Sequence, residues 1–170
     1  MIETHYNSET KQRIERAIQV LETVSDPEIP VLSVLDLGVI RQMKIVNQLL
    51  HVDITPTYSG CPAMKVIELS VEAALLEAGL GPVQIHTVID PAWTTDWISE
   101  EGQRKLREYG IAPPNTAERI ARLKGDAPRI ACPRCGSEDT VCVSEFGSTA
   151  CKAFYKCKSC LEPFDYFKCH

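Results

Sequence analysis

The amino-terminal half of the chain alternates between helical and strand-like hydrophobic patterns. Between residues 10 and 24, apolar side chains recur three or four positions apart, which predicts an amphipathic helix. These side chains are Ile14, Ala17, Ile18 and Leu21. Residues 39–45 and 49–55 instead alternate apolar and polar side chains, as half-buried strands do. The polar pair Asn47-Gln48 joins the two segments, so the pattern predicts a β-hairpin.

A second helical pattern follows the hairpin and leads to a third strand. Residues 62–78 carry small and apolar side chains at helical spacing, namely Ala63, Val66, Ile67, Ser70, Ala74 and Leu75. Glycine supplies the expected helix end at Gly79 and Gly81. Residues 83–89 then alternate again. Because a strand that follows a helix returns beside an earlier strand, the order predicts a small α/β domain with a three-stranded sheet packed by helices.

The stretch after this sheet contains two tryptophans and several chain breakers. Trp93 and Trp97 are expected to cover the open side of the sheet, with ligand stacking as the alternative. Residues 97–109 have a helical pattern, and residues 116–124 can form a short helix. Residues 125–128 (GDAP) are typical of a linker. We therefore predict an α/β domain over residues 1–111, a linker with a short helix over 112–130 and a separate module over 131–170.

Composition and charge exclude several classes of protein. A net charge of −5, with no basic run, is atypical of a nucleic-acid-binding surface. Apolar runs are too short to span a membrane, and the first thirty residues resemble no secretory signal, so a cytoplasmic location is expected. Eight cysteines are many for such a location, and seven of them lie in the last forty residues. In a reducing compartment this crowding favours metal binding over disulfides.

Four of these cysteines form two C-x-x-C motifs, here called the knuckles. Cys132 and Cys135 form the first knuckle, and Cys157 and Cys160 form the second. Their spacing is typical of a four-thiolate zinc ribbon built on β-hairpins. So short a module cannot bury enough apolar surface to fold alone, so metal binding would supply the folding free energy. Zinc is favoured, and iron is the alternative because tetrahedral sulfur sites suit both metals.

Three further cysteines, Cys142, Cys151 and Cys169, lie outside the knuckles. Free cysteines of this kind pack as small hydrophobic side chains, and this is the interpretation we favour. If Cys142 and Cys151 face each other across a hairpin, a regulatory disulfide is the alternative.

The remaining cysteine, Cys61, lies between the second strand and the second helix. Pro62 suits the first helical position, because its missing N–H has no helical partner there. A helix N-terminus carries partial positive charge, which favours the thiolate that acts as a nucleophile or metal ligand. A plain buried cysteine at a helix start is the alternative. No catalytic triad order, phosphate-binding glycine loop or carboxylate pair is evident in the sequence, so a non-enzymatic role is expected.

Several short motifs in the chain resemble known families. Residues 26–30 (DPEIP), 35–38 (LDLG), 53–55 (DIT) and 59–62 (SGCP) resemble the iron–sulfur assembly family that includes SufT-like proteins. The carboxy-terminal run FGSTACKAFYKC, followed by EPFDYFK, resembles the PaaD family of phenylacetate-degradation proteins, and this similarity covers essentially the whole chain.

These resemblances imply a function beside the multicomponent oxygenase that epoxidises the ring of phenylacetyl-CoA. They imply that Cys61 handles iron or an iron–sulfur cluster transiently, and that Asp26 and Glu28 belong to the same site. The implied client is the iron–sulfur reductase of the epoxidase. Clusters need about four protein ligands, so a partner or a second copy of the chain must supply the others. A stoichiometric structural subunit of the oxygenase and a redox-active iron ribbon are the alternatives.

Overall fold

We describe residues 8–58, 60–114, 120–121, 124–125 and 129–168 of a computed structural model of the chain. The chain divides into two compact units, Met1–Trp93 and Thr94–His170. Each unit builds its own sheet, and each is described by itself below.

The first unit contains two helices and a three-stranded sheet. Its elements are α1 (Ser8–Leu21), β1 (Ile40–Val46), β2 (Leu49–Ile54), α2 (Ala63–Glu77) and β3 (Val83–Thr87). The strand order is β1-β2-β3, with β1 antiparallel and β3 parallel to β2. Helix α2 is therefore the crossover between two parallel strands. The predicted α/β fold with a three-stranded sheet is confirmed.

The hairpin turn between β1 and β2 is fixed by backbone conformation and by one distant side chain. Asn47 and Gln48 both have positive φ, 50° and 68°, as a two-residue hairpin turn with the right strand twist requires. The guanidinium of Arg13 donates to the carbonyls of Gln48 (2.9 Å) and Leu80 (2.7 Å). The Arg13 side chain on α1 therefore connects the β1–β2 turn to the loop that precedes β3.

The buried face of α2 differs from the predicted one. Its buried side chains recur about four residues apart: Ala63, Met64, Ile67, Val71 and Leu75. Val66 was expected among them but is 50 % exposed, because it lies about 100° around the helix from Ile67. Ile18 of α1 is also exposed rather than buried, at 38 %. The predicted helices are present, but the apolar side chains on them do not all face the core.

The second unit contains one helix and a four-stranded sheet. A short 3-10 turn (Thr95–Trp97) precedes α3 (Glu100–Tyr109), β4 (Ile111–Ala112), β5 (Thr140–Ser144), β6 (Lys152–Cys157) and β7 (Pro163–Phe167). The strand order is β4-β7-β6-β5. Helix α3 begins later than predicted because the Ser99 hydroxyl caps it, accepting a hydrogen bond from the Gly102 amide. Gly110 ends it in the left-handed conformation.

The boundary between the compact units lies elsewhere than the predicted domain boundary at residue 111. Ile111 and Ala112 form β4, which pairs with β7 of the ribbon sheet. Both side chains are buried, and Ala112 shares a core with Ile130, Tyr155 and Tyr166. The segment before the knuckles therefore belongs to the ribbon unit by packing. Most of the predicted short helix over 116–124 and of the linker over 125–128 lies outside the described residues.

The two tryptophans belong to different units. Trp93 is buried in the first unit, where its indole N–H donates to the carbonyl of Leu37 at 3.0 Å. Trp97 is only half-buried and closes the 3-10 turn of the second unit. Within the described ranges, no helix is long and apolar enough to cross a membrane.

Candidate metal and cluster sites

Each knuckle of the ribbon is a tight turn closed by backbone hydrogen bonds. In the first, the amide of Cys132 donates to Ser137 and the amide of Gly136 donates to Cys132, both at 2.9 Å. In the second, the amide of Cys157 donates to Glu162 at 2.9 Å. The residue after each second cysteine has positive φ: Gly136 at 73° and Leu161 at 66°. Matching backbone turns therefore present the two cysteine pairs.

A side-chain hydrogen bond joins the two knuckles. The hydroxyls of Ser137 and Ser159 lie 2.8 Å apart, and these serines follow Cys135 by two residues and directly precede Cys160. Sequence spacing gave no indication of this contact, since serine is common in turns. It holds the two turns in register beside the thiols.

The four knuckle thiols converge on one point. Their sulfur atoms all lie within 4.8 Å of one another. Cys132 and Cys160 are 3.7 Å apart, and Cys135 and Cys157 are 3.6 Å apart. Four sulfurs bound to zinc at about 2.3 Å in a tetrahedron lie about 3.8 Å from one another. The donor set therefore fits a tetrahedral zinc ion, and iron fits the same distances.

The pKa values of two knuckle thiols, Cys157 and Cys160, shift in opposite directions. The backbone amide of Cys160 donates to the sulfur of Cys157 at 3.5 Å and lowers the pKa of Cys157 to about 6. The backbone near Glu162 lowers the pKa of Cys160, but burial and the neighbouring thiols outweigh it and raise that pKa to about 12. Four thiolates so close together need a cation between them, which a divalent metal supplies.

The two described ribbon cysteines outside the knuckles do not pair with each other. Cys142 lies opposite Tyr155 in the β5–β6 ladder, so the alternative of a cross-hairpin disulfide with Cys151 is wrong. Cys151 is buried and lies 3.0 Å from the Thr149 hydroxyl, whereas Cys142 is exposed. The prediction of small buried hydrophobes therefore holds for Cys151 and fails for Cys142. Cys169 lies outside the described residues.

Cys61 is partly exposed at the entry to α2. Its amide donates to Tyr58 at 3.2 Å, and its carbonyl accepts from Met64 at 3.3 Å. Gly60, directly before it, has a φ of +81°, which glycine adopts without strain. Pro62 is the N-cap residue rather than the first helical residue, and it offers no side-chain cap. The sequence could not decide whether this thiol is buried; the structure places it at the surface of a tight turn.

Asp26 has an architectural task that the sequence did not reveal. Its carboxylate is buried and accepts hydrogen bonds from the amides of Glu28 (2.8 Å) and Ile29 (2.7 Å). Further along the same loop, Asp36 and Ser33 bond to each other reciprocally, with the Asp36 carboxylate accepting from the Ser33 amide and hydroxyl. Asp26 and Asp36, each from a family motif, therefore brace the loop that precedes β1. Glu28 is half-buried.

The structure does not bring the predicted cluster residues into one ligand group. Within the described part of the chain, the knuckle cysteines form the only set of three or more metal-binding side chains close enough to share an ion. Cys61, Asp26 and Glu28 do not form such a set. Sequence reasoning missed one feature of the first unit: the Thr55 hydroxyl, just after β2, is buried without a hydrogen-bond partner among the described residues.

Comparison with known proteins matches two parts of the chain to two different families. Residues 14–87 match the family described as iron-sulfur cluster assembly protein. Residues 116–168 match the family described as the PaaD zinc beta ribbon domain. A protein of Escherichia coli strain K12, provisionally named as a subunit of 1,2-phenylacetyl-CoA epoxidase, is 49 % identical over 88 % of this chain and 89 % of its own length. The chain belongs to the PaaD family.

Two further similarities concern the first unit of this PaaD-family protein. An Fe-S protein maturation auxiliary factor of Porphyromonas gingivalis is 34 % identical over 59 % of this chain and 96 % of its own length. The crystal structure of a DUF59 domain of unknown function from Bacillus anthracis superposes with a TM-score of 0.54. That domain is 22 % identical and covers 58 % of this chain and 94 % of its own, so it supports the fold alone. The resemblances inferred from the motifs are confirmed at the level of family and fold.

Proposed function

We propose that the chain is a non-enzymatic maturation factor for the multicomponent phenylacetyl-CoA ring epoxidase. In this proposal Cys61 handles iron or an iron–sulfur cluster transiently, and the client is the iron–sulfur reductase of the epoxidase. The names of two relatives support the two parts of the proposal: one is provisionally an epoxidase subunit, and the other an Fe-S maturation factor. The single observation that carries the proposal is the partly exposed thiol of Cys61 on its glycine turn.

The chemistry assigned to Cys61 is ligand exchange. The Cys61 thiol gives its proton to water, and its thiolate forms a new Fe–S bond as the bond to one donor cysteine breaks. The displaced donor thiolate takes up a proton from water, and no electron is transferred. A single thiolate cannot hold a cluster that needs about four ligands, so the client or a second copy of the chain completes the set. This incomplete ligand set suits transfer better than storage. Glu28 is a second candidate ligand, and Asp26 acts as a positioning residue for the loop that carries Glu28.

The ribbon is assigned a structural metal and a docking role. The knuckle cysteines Cys132, Cys135, Cys157 and Cys160 would hold zinc, which supplies folding free energy to a small sheet. With all four positions filled by protein, the ion has no open site for substrate. The ribbon would therefore present a fixed surface to the client. Elemental analysis tests the assignment, and iron in place of zinc would favour a redox-active ribbon instead.

A Cys61→Ser variant tests the proposal directly. The reductase is produced together with the wild-type chain, with Cys61→Ser or with Cys142→Ser, and its iron and acid-labile sulfide are measured. Cys142 is a matched control because it is also exposed but lies on the ribbon strand β5. We expect full cluster occupancy with the wild type and Cys142→Ser, and reduced occupancy with Cys61→Ser. Full occupancy with a folded Cys61→Ser variant would refute the role of Cys61.

The alternative is a stoichiometric structural subunit of the epoxidase, which the name of the E. coli relative favours. In that case the chain would co-purify with the oxygenase subunits in fixed ratio, and Cys61→Ser would leave the complex intact and active. An oxygenase complex that assembles normally without this chain would exclude the alternative.

A further inference from the structure

The exposed side of helix α2 is apolar along its whole length. Five apolar residues, here called the outer stripe, follow one another at spacings of four and three residues: Pro62, Val66, Leu69, Ala73 and Leu76. At about 100° per residue, these positions lie within about 40° of one direction, opposite the buried face of the helix. All five are exposed, and Val66, Leu69 and Leu76 are 50 %, 54 % and 49 % exposed.

Such a face is unusual for a helix at the surface of a protein. A surface helix normally carries charged and polar side chains opposite its buried face, and a helix that is apolar all round is normally covered. Helix α1 follows this rule, because its exposed residues are polar or charged apart from Ile18. Alternating spacings of four and three residues are those of the seam along which two helices pack in a coiled coil. The outer stripe therefore has the pattern of a helix–helix contact.

The charged residues that border the stripe indicate which helix fits it. Lys65 and Glu72 lie along one side of the stripe, whereas Ser70 and Glu77 lie along the other. When two copies of a helix pack antiparallel about a two-fold axis, each side of the stripe meets the same side of its copy. Lys65 then meets Glu72 of the second copy, and the symmetry makes this contact twice. A parallel copy would instead bring Glu72 beside Glu77 of the second copy, and like charges repel.

The stripe matches its own antiparallel copy along its full length. With the two-fold axis near Leu69, Pro62 lies opposite Leu76 of the second copy, and Leu69 lies opposite Leu69. The same register places Lys65 within one residue of the level of Glu72 in the second copy. Lys65 also pairs with Glu68 on its own helix at 3.3 Å, but an ammonium has three donors and can bind both carboxylates.

We propose that the outer stripe is the contact surface of a homodimer, in which α2 packs antiparallel against α2 of a second copy. Because the contact is only about four helical turns long, we expect the dimer to be weak. The two Cys61 turns lie at opposite ends of the contact, about 24 Å apart along the helix axis. One cluster could not use both thiols, so the proposal does not depend on the function proposed for Cys61.

The test is analytical ultracentrifugation of the zinc-loaded full chain under reducing conditions, from about 1 µM to about 1 mM, which covers weak interfaces. Leu69→Glu places two carboxylates face to face at the axis. Val46→Glu is the control, because Val46 is 47 % exposed but lies on β1. We expect the wild type and Val46→Glu to dimerise in this range, and Leu69→Glu to associate at least about tenfold more weakly. The buried amides of Val52 and Val71 report whether each variant is folded.

Charge reversal tests the antiparallel arrangement. Lys65→Glu or Glu72→Lys alone places like charges opposite each other and should weaken the dimer about two- to tenfold, whereas the double variant should restore it. Stronger association of Glu72→Lys, or no restoration in the double variant, would contradict this arrangement. A wild type that stays monomeric, or a folded Leu69→Glu variant that dimerises as the wild type does, would overturn the proposal. If the wild type were monomeric and Leu69→Glu lowered cluster occupancy of the reductase, the stripe would contact the client instead.

Discussion

The two hydrogen bonds at Asp26 allow its architectural role to be separated from a role as a cluster ligand. The carboxylate is 6 % exposed and accepts from two backbone amides at 2.8 and 2.7 Å. Asp26→Ala removes both bonds and leaves two amides without acceptors. A hydrogen bond to a charged group contributes about 1.5–3 kcal/mol, so for two such bonds we expect the first unit to lose about 3–6 kcal/mol of stability. Asp26→Asn keeps one oxygen in the same position and should lose only about 1 kcal/mol.

The assay must report on the first unit alone, because the two units need not unfold together. Urea titration followed by the amide signals of Val52 and Val71, both fully buried in the first unit, meets this need. The same variants are then compared for cluster occupancy of the reductase. A positioning role predicts that Asp26→Asn keeps both stability and transfer. Two results would refute the reasoning: a loss below about 1 kcal/mol in Asp26→Ala, or an Asp26→Asn variant that is stable but inactive.

Three other predictions concern the ribbon, the turn of Cys61 and the residue that follows β2. Removing the metal with a chelator, or replacing Cys157 by Ala, should expose the β6 amides to exchange while the Val52 amide stays protected; continued protection of β6 would contradict the four-ligand site. Gly60→Ala should cost about 1 kcal/mol because of its positive φ, and an unchanged urea midpoint would contradict this. Thr55→Val should stabilise the first unit by about 1 kcal/mol, since the buried hydroxyl has no described partner; a large loss of stability would reveal one.

Periodicity and spacing were sufficient for the helices and strands of the first unit and for the knuckles. The 3.6-residue and two-residue patterns locate α2 and β2 because burial on one face is what creates those patterns. The C-x-x-C spacing predicts the thiol cluster because each knuckle is a local turn, so its geometry depends on a few adjacent residues. Patterns of a few adjacent residues therefore predict helices, strands and tight turns, because the geometry of these structures depends on adjacent residues.

Contacts between distant residues could not be predicted in this way. The Arg13 bonds to two loops, the hydroxyl contact of Ser137 with Ser159 and the hydrogen bond between the rings of His51 and His86 all join residues that the fold alone brings together. The role of Asp26 was also obscured, because a carboxylate in a family motif suggests a ligand until its hydrogen bonds are known. The pairing of β4 with β7 is a long-range contact of the same kind, so periodicity could not predict that Ile111 and Ala112 join the ribbon sheet.

We propose that the chain uses two different sulfur sites: zinc in the ribbon, and iron or a cluster at Cys61. The most direct test is the content of zinc, iron and acid-labile sulfide in protein purified without oxygen, for the wild type and Cys61→Ser. We predict about one zinc per chain in both proteins. Iron and sulfide should be present in the wild type at less than one cluster per chain, and absent from Cys61→Ser. Equal iron in both proteins, or iron in place of zinc, would contradict the account.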